Sequence, residues 1–167
     1  MGCHAMRWPF SGREDAPPPP PPLEPIRFYT DETVLDGSVL TDGRRMTDIL
    51  QHTEEIDFLP LGADRDRPGA WIRVPTNRML LVVPPPHVSP PERRESRERQ
   101  EVALNSGGYR VMGIAHLRAG LERDVFLRAT QPFLPLTSAT VMPADGSGAV
   151  EYDVVIVNLR WAEFVEA

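Results

Sequence analysis

The sequence predicts a mainly all-β protein: two small β-barrel units in tandem, joined by a proline-containing charged linker and preceded by an extended proline-rich arm. Three observations carry that expectation. Between Ile26 and Val83, polar and apolar residues alternate over short runs broken by turn formers, which is the period of half-buried strands. A block of prolines and mixed charge then interrupts the pattern, and strand-like runs resume beyond it. Finally, the tetrapeptide Phe-Leu-Pro-Leu occurs at Phe58 to Leu61 and again at Phe133 to Leu136, once in each stretch. A chain of 167 residues can hold both units, since a small core needs roughly 60 residues.

Residues 1–25 read as the arm. The run Pro17 to Pro22, followed by Leu23, Glu24 and Pro25, lacks backbone donors and favours extended polyproline II. Ahead of it, Arg7, Trp8 and Phe10 stand close together, a set suited to docking in an apolar groove of a partner or at a headgroup boundary. His4, on the same arm, offers a neutral imidazole that can ligate a metal or a pigment's magnesium in a partner complex.

Residues 26–84 form the expected first unit. Ile26 to Leu40 reads as a hairpin turning at Thr30 to Thr33, with a bulge or kink at Gly37. Met46 to Glu55 is too short and mixed for more than a turn of helix. Trp71 to Val83 reads as one later strand, with Pro75 marking an edge or a bend. Residues 85–107 read as a linker, with a solvated helical stretch from Glu92 to Glu101 supported by i,i+4 pairs such as Glu95 and Arg99. Arg93, Arg94, Arg97 and Arg99 in that stretch could contact an acidic partner or phosphate. The glutamates between them nearly cancel their charge, which favours a spacer. Ser106 to Gly108 reads as a hinge into the second unit, residues 108–167, where Met142 to Ala149 is a turn between strands.

The two units share more than the tetrapeptide. Gly37 precedes Asp48 by eleven positions and Gly113 precedes Asp124 by eleven, while Asn77 and Asn158 align in the closing strands. Shared order with gaps at hairpin loops points to duplication. The prolines of the tetrapeptide mark edge or bulge positions where no ladder bond is needed, and the two asparagines are expected in tight bends.

The formal charge of −6 argues against a general nucleic-acid binder. All 18 basic residues are arginine, as a GC-rich genome would produce. The single cysteine, Cys3, cannot form an intrachain disulfide, and a reducing compartment is the natural reading. The longest apolar run, Met79 to Val83, is far short of the roughly 20 residues of a membrane helix. The N-terminus has no apolar segment of a secretory signal. His4, His52, His87 and His116 are isolated in sequence, and no motif of metalloproteases, nucleophile elbows or phosphate loops occurs. His116, Asp124 and Ser106 compose a triad on paper only, because no spacing supports a nucleophile, base and orienter. The expectation is therefore a chain that is not an enzyme and has no intrinsic cofactor.

The succession Tyr29 to Val39, Arg44 to Leu50, Ile56 to Asp64 and Val74 to Pro85 resembles an uncharacterised bacterial domain family whose members read as Sm-like small β-barrels. The likeness is good over Arg27 to Pro84. Over Tyr109 to Glu166 it rests on the tetrapeptide, Asp124 and the Asn158 strand. It implies fold and brings no catalytic residues. Together with the arm and the absence of chemistry, it leads to the expectation of a structural subunit. Such a subunit would dock on protein partners of a larger membrane complex, being cytoplasmic or peripheral at the cytoplasmic face of the inner membrane. The most specific setting is a photosynthetic reaction centre with its light-harvesting ring, which rests on the arm, Trp8 and the pigment-ligand chemistry of His4. The alternative is a soluble Sm-like module binding RNA or a small ligand through the arginine-rich linker.

Overall fold

The computed structural model describes residues 19–86, 97–118 and 132–165. The residues of the arm that were expected to meet a partner or pigment, His4, Arg7, Trp8 and Phe10, lie outside them, as do Arg93, Arg94 and Asp124.

Ten strands make one antiparallel sheet, curled into a half-barrel. The first half supplies β1 (Glu24–Tyr29), β2 (Val34–Val39), β3 (Glu55–Pro60), β4 (Ile72–Pro75) and β5 (Leu81–Val83). The second supplies β6 (Arg97–Ser106), β7 (Tyr109–Arg118), β8 (Phe133–Pro143), β9 (Val150–Asn158) and β10 (Ala162–Val165). Their order across the sheet is β10-β6-β7-β8-β9-β5-β1-β2-β3-β4. In each half, then, the last strand returns beside the first and the other three follow in sequence. The halves join where β9 pairs with β5.

Local chemistry explains the elements. Thr30 closes the first turn, its hydroxyl accepting from the Thr33 amide at 3.0 Å. A helix, α1 (Met46–His52), covers the first half's core with Met46, Ile49 and Leu50, the i, i+3, i+4 stripe of an amphipathic helix. This is longer than the single turn the sequence suggests. The stretch Trp71 to Val83 is two strands, not one, because a 3-10 turn at Thr76–Arg78 follows Pro75 and redirects the chain. Pro75 ends an edge strand, as its missing N–H requires.

The linker and its helix need the largest correction. Arg97 to Ser106 is a ten-residue strand paired along its whole length with β7. Cross-strand pairing and the burial of Val102 and Leu104 outweigh i,i+4 charge pairs worth a few tenths of a kcal/mol each. Gly107 and Gly108 form the two-residue hairpin loop between these strands, with φ of +57° at Gly107, so they are a turn and not a hinge.

Two cores lie on opposite faces of the shared strands. On β9, Val155 and Val157 enter the second half's core while Ile156 enters the first. On β5, Leu81 enters the second core and Val82 the first. Where β5 meets the end of β9, both faces are buried, so Leu81 to Val83 and Val154 to Val157 read as unbroken apolar runs instead of alternating. Phe133 crosses into the first core and Tyr29 into the second, tying the halves together by side chains as well as by the ladder.

Phe58 and Phe133 both occupy the third strand of their half, but not the same position. Gly37 faces Ile26 on β1, and Gly113 faces Val102 on β6. A Cβ on Gly37 would strike the Phe58 ring and the Leu59 carbonyl, and one on Gly113 would press on Leu136 and the Thr137 carbonyl. Leu136 is thus the counterpart of Phe58. Following the ladders outward, Phe133 corresponds to Glu55, Ile156 to Arg73 and Asn158 to Pro75. The amide of Thr76 donating to Glu54 and that of Leu159 donating to Pro132 repeat one bond at the same place in both halves. The alignment of Asn77 with Asn158 is therefore replaced. Identical letters in the tetrapeptide mark different structural positions.

Candidate interaction site

The junction of the two halves is where polar groups converge. Asn158 ends β9 and is almost wholly buried. Its amide N–H donates to the Leu80 carbonyl at 2.9 Å. Its side-chain Nδ2 donates to the carbonyl of Met79 at 2.9 Å and, more weakly, of Thr76 at 3.4 Å. Its Oδ1 accepts from the Arg160 amide at 3.2 Å. One side chain thus caps the 3-10 turn at Leu159–Trp161 and fills the carbonyls of the matching turn in the other half. The Trp161 indole, itself 55 % exposed, donates to the Asn77 carbonyl at 2.6 Å from the same corner.

All three tyrosines of the chain gather a short way along the junction. The Tyr29 and Tyr109 rings meet edge to face with centroids 5.0 Å apart. The hydroxyls of Tyr29 and Tyr152 are 2.6 Å apart. Arg27 donates from Nε and Nη2 to both carboxylate oxygens of Asp36, at 2.6 and 3.0 Å, and from Nη1 to the Tyr152 hydroxyl at 2.9 Å. Those bonds, the Asp36 pair first, hold the guanidinium charged well above its already high range. Burial, then the hydrogen bond to Tyr152, pushes Tyr29 up to about 12.

A second feature lies at the opposite border, where β3 turns into β4. The loop of residues 61–71 encloses a shallow open depression of about 370 Å³ between Ala63, Arg67 and Ala70. Leu61 at its rim is 81 % exposed, and Ile72 at its end is also exposed. The Trp71 indole donates to the Arg65 carbonyl across the loop at 3.3 Å. Arg65 in turn donates to the carbonyl of Pro21 at 3.1 Å, so the loop holds the root of the arm.

Of the arginines expected to meet partners, Arg97 and Arg99 stand on β6, with Arg99 exposed opposite His116. His116 bonds the Thr137 hydroxyl through Nε2 at 2.8 Å, and the hydroxyl of Ser106 is buried without a protein partner. Among the described residues, no three His, Cys, Asp or Glu side chains converge on a point where a metal ion could be held. No helix there is long and apolar enough to cross a membrane. The Arg27 and Asn158 networks were missed by sequence reasoning. Arg27 meets Asp36 within its own hairpin, but Tyr152, and the Thr76 and Met79 carbonyls that Asn158 binds, lie in the other half, where no local spacing announces them. Compared with known protein families, curated proteins and solved structures, the chain has no match.

Proposed function

We propose that the protein is a non-catalytic structural subunit, which docks on a larger, membrane-embedded assembly from its cytoplasmic face. Its two halves, read as Sm-like units, supply a rigid base, and the N-terminal arm reaches to a second subunit. The observation that carries this reading is the bond from Arg65 to Pro21. It anchors the proline-rich arm at a loop that also presents Leu61 and Ile72 to solvent, so arm and apolar surface face a partner together. The same strand order in both halves supports two Sm-like units. The buried Asn158 network and the partly buried Arg27, Tyr152 and Tyr29 cluster, with partners from both halves, support a scaffold whose parts hold a fixed geometry. A photosynthetic reaction centre with its light-harvesting ring remains the most specific setting, on the chemistry of Trp8 and His4.

Deleting residues 1–22 tests the reading. The shortened protein is expected to keep its fold by circular dichroism and to be lost from complexes captured out of detergent-solubilised membranes. Retention equal to the full chain would overturn the role given to the arm.

A further inference from the structure

The junction between the halves specifies what a sheet edge must carry to accept another unit of this kind, and the two outer edges can be compared with it position by position. At the junction β9 presents Asn158, whose amide bonds Leu80, and Ile156, which enters the neighbouring core with Phe133 beside it. Among the described residues, the corresponding edge, β4, has no neighbouring strand. There the amide is gone, because Pro75 takes the place of Asn158. The nitrogen of Pro75 faces outward, since the neighbouring Thr76 amide is the one that bonds back to the Glu54 carbonyl, just before β3. In place of Ile156 stands Arg73, and in place of Phe133 stands Glu55. The two are paired at 3.9 Å, and Asp57 holds Arg73 at 3.4 Å.

The other outer edge is altered in the same sense. At the junction β5 places Leu81 opposite Tyr29 and inside the second core. On β10 the matching residue, opposite Asn105, is the exposed Glu163. Neither outer edge has lost its backbone shape. Each has lost the apolar side chain that would seat in a neighbour, and a charge that would have to leave water stands there instead.

We propose that both outer edges are built to refuse a second copy of this chain, so that head-to-tail growth of the sheet stops at two halves. Without these substitutions β4 of one molecule would meet β10 of the next, a heterologous contact that repeats into rings or filaments. Pro75, Arg73, Glu55 and Glu163 are the residues that prevent it.

Two full-length variants test this by mixing. Glu55→Phe/Arg73→Ile/Pro75→Asn restores the junction pattern on β4, and Glu163→Leu restores it on β10. Wild type and each variant alone are expected to sediment as monomers at tens of micromolar. An equimolar mixture of the variants is expected to double in mass and go no further, because each has one open edge. A chain carrying all four substitutions is expected to form larger, concentration-dependent species. A mixture that stays monomeric, with both variants showing wild-type circular dichroism and cooperative unfolding, would overturn the proposal. So would a wild-type oligomer that Arg73→Pro dissociates. If the triple β4 variant does not fold, Arg73→Ile mixed with Glu163→Leu is expected to associate more weakly, and its failure to do so counts equally against the proposal.

Discussion

Replacing Asn158 with alanine isolates the polar staple between the halves. The substitution removes the acceptor for the Arg160 amide and the donor to the Met79 carbonyl, both inside a residue that is 1 % exposed. Leaving one buried carbonyl and one amide without a partner costs about 1–3 kcal/mol each before relaxation, so a loss near 2–4 kcal/mol is expected. For a chain of this size that lowers the melting temperature by roughly 5–15 °C. Urea unfolding followed by far-ultraviolet circular dichroism and by tryptophan fluorescence measures it. The two signals are expected to separate in the variant, because the weakened junction lets the halves unfold at different denaturant concentrations. Asn77→Ala, at an exposed position that sequence alignment places as the equivalent of Asn158, is expected to change stability by less than about 0.5 kcal/mol. A loss below about 0.5 kcal/mol for Asn158→Ala, with coincident transitions, would refute the assignment of the junction to this side chain.

Two further outcomes follow from particular contacts. Gly37→Ala would set a Cβ 2.5 Å from the Phe58 ring and onto the Leu59 carbonyl, so a loss of about 2–3 kcal/mol is expected in thermal unfolding. Gly113→Ala, with its closest approach at 3.1 Å, should lose distinctly less. The Tyr29 phenol, ordinarily near 10 and pushed up to about 12 in the fold, is held protonated by its surroundings. Its contribution to stability is full below pH 10 and is lost as pH rises toward 12. Wild-type stability is therefore expected to fall across that window, and Tyr29→Phe to flatten the fall, as read by unfolding at a series of alkaline pH values.

Most strands were legible because one face of each is buried and the other wet, as in β1, β2 and β3. The helix was underread, since Met46, Ile49 and Leu50 form a short stripe among turn-forming neighbours. Strand β6 was hidden by its own charges: Arg97, Glu98, Arg99 and Glu101 look like a solvated helix until the strand is seen to pair with β7 and bury Val102 and Leu104 in the second core. The tetrapeptide misled in a specific way. Sequence matching aligned Phe58 with Phe133, whereas one lines its own core and the other fills its neighbour's. Within the tyrosine and arginine cluster, the Arg27–Asp36 pair lies across one hairpin, but its link to Tyr152 had no sequence signal, because Arg27 and Tyr152 are separated by 125 positions and meet only when the halves pair.

The shared strands also govern how the protein can be made. As the chain is synthesised, the first half emerges with β5 lacking its neighbour and with Leu80 and Leu81 facing water. Val157, which pairs with Leu81, belongs to the ninth of ten strands. The first half therefore leaves the ribosome with a sticky border that stays open through the synthesis of nearly all the second half. Folding becomes a late event for the whole molecule, and a nascent chain stalled before β9 is the form most in need of a chaperone.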